Sequence, residues 1–338
     1  MSRNRERGGA LLIVLWLSAA LAAIALSVST TVRTETEHTS TVADGLRAHY
    51  LATGSLDRAV QWMLWGGGPR NPDGTARFWD RQKPRMNMSY PSGDVVVEMI
   101  SETAKLNVNK ATEAELIAVV TALTGNPGQA RDVAAAILDW RSPVQGASSF
   151  DSYYLALGPT FRPQHTSLEE IEELLSVRGV TPELFYGNYV SDGQGRLYAR
   201  GGLRDCLSVW GTLGALDVNG ASPAVLEAIG MTPPNAATLV QRRAMKPFEN
   251  IGEVQALGIP TTRLRVGGNT MWTMRATARL RRPDGTPSET VRSAAAVVKY
   301  WDDPQYHPSS VQVVRYYGDA WSEFAVAPPL NGPRVFAR

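Results

Sequence analysis

Cysteine is nearly missing from this chain: of 338 residues only Cys206 carries a thiol. One thiol cannot close an internal disulfide, and no Cys or His stands near it at metal-ligand spacing. A disulfide framework and a zinc-finger-type site are therefore excluded, and a structural role is left. A surplus of one charge is missing too. Thirty-four basic residues face 32 acidic ones, for a net charge of +2, which lacks the basic excess of a dedicated nucleic-acid domain. Histidine is scarce: His38, His49, His165 and His307 lie far apart, and none begins a zinc motif. The chain contains no G-x-S-x-G and no P-loop, and the lone Gly193-Gln194-Gly195 in an expected turn is too short a signal for phosphate binding. Together these absences argue against an enzyme. Apolar residues, at 43% against 20% charged, are plentiful enough for a packed body.

The apolar residues are concentrated at the start. Arg3, Arg5 and Arg7 form a basic leader, and Ala10 to Val28 are apolar apart from Ser18 and Ser27. As a helix that run rises about 28 Å, close to the thickness of a bilayer core. The basic leader predicts a cytoplasmic start and a periplasmic body, hence a single-pass protein of a bacterial inner membrane. Three readings compete. A cleaved secretory signal is opposed by the length of the run and by the lack of an A-x-A site where polar sequence begins. A plain signal anchor fits the hydropathy. A prepilin-type signal, cut before a retained helix, fits best, because Gly8-Gly9 stands at the basic-to-apolar junction and offers an accessible peptide bond there. Apolar residues then recur at threes and fours through Val42, Leu46, Leu56, Val60 and Leu64 until Gly66-Gly67-Gly68, so one helix is expected over about 10–65.

The body divides in three. Residues 69–105 carry strand-like sequence, notably Asp94 to Ile100. Residues 106–265 are helical segments punctuated by Gly and Pro. Residues 269–320 return to strands at Met271–Ala278, Val291–Tyr300 and Val311–Tyr317. Residues 321–338 read as a loose tail. The helical part repeats itself. Leu106-Asn107-Val108-Asn109-Lys110-Ala111-Thr112 matches Leu216-Asp217-Val218-Asn219-Gly220-Ala221-Ser222, and each stands where a helix should begin. Asn109 and Asn219 are therefore expected to cap those helices. Second helices are expected over 130–140 and 236–243.

The opening from Arg7 to Trp16 resembles the general secretion pathway protein K (GspK) family of type II secretion minor pseudopilins, in which Arg-Gly, one variable residue and Ala-Leu-Leu follow one another. The resemblance extends through Lys105-Leu106-Asn107-Val108-Asn109, Asp139-Trp140, Tyr153-Tyr154 and Val177 to Leu184. It implies an α+β fold with a pilin-like long N-terminal helix on an antiparallel sheet and a large all-α insertion of two helix-hairpin-like or SAM-like repeats. It also implies a leader of residues 1–8, cut by prepilin peptidase after Gly8, with a cut after Gly9 left open, and N-methylation of the mature chain. A helix of residues 9–65 would then follow, with 10–28 in the membrane. Pilins place a glutamate at mature position five; here that position is Ile13, or Val14 for the second cut. A carboxylate in the bilayer costs about 3 kcal/mol without a partner, and a subunit with no neighbour beyond it needs none. The implied partners are the I and J minor pseudopilins, the inner-membrane assembly platform, the secretin and the exported proteins.

The resemblance further implies calcium held by oxygens in the insertion. Calcium takes six to eight oxygen ligands, several of them carboxylate. The stretch after Trp140 supplies only Asp139 and Asp151 and adds Arg141, so no cofactor is expected to be required. The alternatives to a pseudopilin are a DNA-uptake component with helix-hairpin-helix units and a static membrane-anchored adaptor. The turns Thr124–Gln129 and Gly230–Asn235 lack the glycine pair of a phosphate-holding hairpin, so no nucleic-acid partner is expected.

Overall fold

The computed structural model describes residues 6–65, 69–74, 76–80, 84–158, 160–191, 197–268, 270–301 and 310–320. Helix α1 (Glu6–Trp65) leads into strands β1 (Arg85–Tyr90) and β2 (Gly93–Ser101). The insertion then runs through β3 (Leu106–Asn107), α2 (Glu113–Thr124), α3 (Pro127–Arg141), α4 (Asp151–Leu157), α5 (Pro182–Tyr186), β4 (Asn188–Ser191) and β5 (Leu197–Arg200). It continues with α6 (Leu203–Cys206), β6 (Leu207–Ser208), β7 (Leu216–Asp217), α7 (Pro223–Ala228), α8 (Pro233–Met245), α9 (Ile251–Gln255) and β8 (Leu264–Arg265). Strands β9 (Met271–Arg281), β10 (Pro287–Trp301) and β11 (Ser310–Tyr317) follow. The glycine stop at Gly66–Gly68, the Gly193–Gly195 turn, the start of the leader and the tail 321–338 lie outside the described residues.

Five antiparallel strands form one sheet in the order β1-β2-β9-β10-β11. Alternation sets its two faces. Val95, Val97, Met99, Met274, Ala276, Ala278, Ala294, Ala296 and Val298 are buried in one core with Ala52, Leu56, Ala59 and Met63 of α1. The α1 positions recur at threes and fours, a helical stripe, and alanines from both sides let the helix lie close to the sheet. The opposite face is polar yet buried: Arg275, 3% exposed, donates to Glu98 Oε2 from Nε (2.9 Å) and Nη2 (2.5 Å). Gly93 is required where β2 starts, because a Cβ there would lie 2.3 Å from the carbonyl oxygen of Arg279.

The insertion leaves the sheet after Ser101 and rejoins it before Trp272, and these two residues are register partners across β2 and β9. Its ends therefore meet at one rung of a ladder, so a long excursion adds little loop-closure entropy to the sheet. Its own core gathers Leu116, Val119, Ile137, Tyr154, Leu174, Phe185, Leu226, Leu239 and Phe248. It is not purely helical. β3 pairs with β6 and β7 with β8, both parallel, and β4 with β5 antiparallel. The expectation of an all-α insertion is corrected on this point: Leu106, Leu207 and Leu216 are fully or almost fully buried, and their extended backbone needs hydrogen-bond partners that a helix does not supply.

Candidate functional site

Two regions carry the features expected to matter: the bare half of α1 and the insertion. From Leu11 to Val32 the apolar side chains of α1 stand exposed, Ile13 at 69% and Val14 at 66%. The most apolar 18-residue window has a mean hydropathy of 2.6 and no buried residue. A helix so long and so apolar with nothing packed on it is suited to a bilayer. Neither Ile13 nor Val14 can form a charge pair. Among the described residues the helix runs from Glu6 through Gly8 and Gly9, so the peptide bonds at this junction are helical. The hydrogen-bond ladder of the apolar run continues into the glycines. Gly9 has no neighbouring atom within 4 Å of a Cβ position, so this turn lies open.

In the insertion, Asn109 and Asn219 do not cap the helices that follow. Thr112 caps α2 and Ser222 caps α7, through side chains accepting from Glu115 N and Val225 N. Each asparagine instead clamps a distant backbone. Asn109 donates to Leu168 O (2.9 Å) and accepts from Leu168 N (2.8 Å); Asn219 does the same at Phe248 (2.9 and 2.9 Å). The amide group has a donor and an acceptor side by side, which matches one residue's N–H and C=O. An arginine at the end of each second helix completes the frame. Arg141 reaches the carbonyls of Val108 and Ala111, and Arg243 reaches that of Val218 (2.6 Å). Burial lowers both guanidinium pKa values, that of Arg243 to about 10. The repeat could have revealed these arginines, since both stand in the last turn of the second helix of their unit.

Asp139 and Asp151 are brought together, but by His165. Its Nδ1 lies 3.0 Å from the Asp139 carbonyl oxygen and its Nε2 3.0 Å from Asp151 Oδ1. Ser148 supplies its hydroxyl to Asp139 Oδ1 and its N–H to Asp151 Oδ2 (2.8 Å). The Ser148 N–H and His165 hold the Asp151 carboxyl below its ordinary pKa. Burial opposes charge on His165, but the Asp139 carbonyl and the two carboxylates outweigh it and raise its pKa. Both ring nitrogens face acceptors, so the geometry calls for an imidazolium. Calcium does not fit this arrangement. Three of the four carboxylate oxygens already hold donors, leaving Asp139 Oδ2 alone, and a cationic ring lies between the carboxyl groups. Among the described residues no group of three or more His, Cys, Asp or Glu could hold a metal ion. No periodic signal in the sequence marks His165 or Ser148.

The first hairpin turn is also internally satisfied: Asn126 Oδ1 accepts from Gly128 N and Gln129 N at 3.0 and 3.1 Å. The amides that a phosphate would use are therefore occupied. The aromatic cluster near the end of α1 divides. Trp79 is core, edge-on to Trp272 and Tyr300, whereas Trp65 is 49% exposed and packs on Phe78.

Residues 96–186 match the family described as type II secretion system protein K, first domain. The match begins inside β2 and ends with α5, so it covers the insertion's first unit. No curated protein matches the chain. Among solved structures, a chain of the GspK-GspI-GspJ complex of the type 2 secretion system of enterotoxigenic Escherichia coli is similar, with 16% identity and a TM-score of 0.48 over 86% of this chain and 99% of that one.

Proposed function

We propose that this chain is a minor pseudopilin of the type II secretion system, of the protein K family. The observation that carries the reading is the protein K match over residues 96–186, in a chain that opens with a bare apolar helix. Prepilin peptidase removes the residues up to Gly8 or Gly9. The helix stays in the inner membrane with its N-terminus cytoplasmic, and the body stands in the periplasm. The role is structural rather than catalytic. Ile13 or Val14 in place of a glutamate removes the charge that would call for a subunit above, which suits a position at the tip of the pseudopilus. The bulk of the insertion beside the sheet suits a cap rather than a repeating unit. By analogy with the GspK-GspI-GspJ complex, the I and J minor pseudopilins are its neighbours, and the assembly platform, the secretin and exported proteins are further candidates for contact.

Co-expression of the full chain with the I and J subunits of the same secretion system, followed by detergent extraction and affinity capture of one of them, tests this reading. A stoichiometric ternary complex is expected. Recovery of I and J without this chain would overturn the tip assignment.

A further inference from the structure

We propose that His165, bridging Asp139 and Asp151 by hydrogen bonds, closes the 142–167 loop of the insertion, so that this loop folds without a bound metal. The two repeat units show why a closure is needed. In the second unit the chain passes from Arg243 to the clamped Phe248 through residues 244–247. In the first it passes from Arg141 to the clamped Leu168 through residues 142–167. The longer connection carries α4 and must be tied down somewhere between its fixed ends.

The tie is a four-residue constellation. Asp139 is the residue two before the end of α3, and Asp151 is the first of α4. His165 reaches both, and Ser148 reaches both from the other direction. Phe150 N donates to Ser148 Oγ (3.1 Å), which fixes that hydroxyl. His165 is the one described non-glycine residue with positive φ, at 47°. The backbone is held in a sparsely populated region at the residue that makes the bridge, as happens when surrounding contacts determine a conformation. The carboxylates are served without a divalent ion: His165 and Ser148 together donate to three of their four oxygens. A calcium ion would have to displace donors from three oxygens.

Full-length protein in detergent provides the test. Limited proteolysis within 142–167 and thermal unfolding are followed in EDTA and in millimolar CaCl2, and calcium binding is titrated by calorimetry. No binding and no difference between the two conditions are expected. The His165→Ala variant should be cut in this loop at least about tenfold faster, the ratio that follows from losing charge-assisted hydrogen bonds, and calcium should not restore protection. Should that variant fail to fold, Asp151→Asn, which keeps the shape and removes the charge, should still show faster cutting in this loop and none of it calcium-dependent. Protection of the parent loop by calcium, rescue of either variant by calcium, or a His165→Ala loop cut at the parental rate would each overturn the proposal.

Discussion

The two units of the insertion are built on one frame and differ in what has been added to it. In both, a short parallel strand opens the unit, an asparagine two residues beyond it clamps the backbone of the unit's last segment, and an arginine from the second helix holds the carbonyl between, that of Val108 or Val218. Outside those contacts the units diverge. The first helix has 12 residues in one (α2) and 6 in the other (α7). The first unit has a capping box in which Glu115 receives Thr112 N (2.7 Å) and also pairs with Arg263 of the second (2.5 Å); the second has Val225 at that place. The comparison teaches that the fixed points are those where a side chain satisfies buried backbone, because an orphaned amide is expensive wherever it stands. Helix length and loop length between the fixed points are free to change, provided a new loop brings its own tie.

That view can be broken most readily at the clamps. Asn109→Ala and Asn219→Ala each remove two hydrogen bonds and leave one residue's N–H and C=O unpartnered, so each should lose roughly 2–4 kcal/mol of stability. Denaturant unfolding measures the loss, and hydrogen exchange should show the Leu168 or Phe248 amide opening in the matching variant only. Equal exchange at both sites would mean that the clamps are not local.

The arginines come next. Arg141→Ala and Arg243→Ala should each lose about 1–3 kcal/mol by thermal unfolding. Removing the asparagine and arginine of one unit together should depart from additivity, whereas pairing residues from different units should be nearly additive. The caps follow. Thr112→Ala should lose about 1 kcal/mol and Ser222→Ala no more than that, since only Thr112 belongs to a box.

The smallest effect is a pH difference between the units. Burial raises the Glu115 carboxyl pKa, but the Thr112 N–H, the Arg263 guanidinium and the Thr112 hydroxyl outweigh it, and the folded value is lowered from 4.5. A lowered folded value means that the contribution is present above the unfolded value and is lost as pH falls through the folded one. Unfolding scans from pH 5 downward should therefore flatten in Glu115→Gln relative to the parent. No change in slope would show that the box is not charge-dependent.

Much of this architecture is legible in the sequence, and the illegible parts share a cause. The long helix, the sheet strands and the duplicated motif all rest on local period or composition, which a single chain displays. The role of Asn109 and Asn219 was open to misreading, because an asparagine before a helix is as good a cap as it is a clamp, and only the position of Leu168 and Phe248 in space decides. The short parallel strands cannot be seen at all, since two residues have no period. The Asp139–His165–Asp151 bridge depends on a loop folding back across many residues. Nothing near His165 announces its partners, and the acidic pair alone suggests a metal as readily as a histidine.

A K-type pseudopilin, as proposed for this chain, is defined by how α1 is delivered to the membrane. The mature N-terminus, determined by mass spectrometry on protein from cells with and without prepilin peptidase, tests it most directly. The account predicts loss of the residues through Gly8 or Gly9, with methylation of the new terminus, only when the peptidase is present. An intact leader in both strains, or a cut beyond Val28, would contradict it.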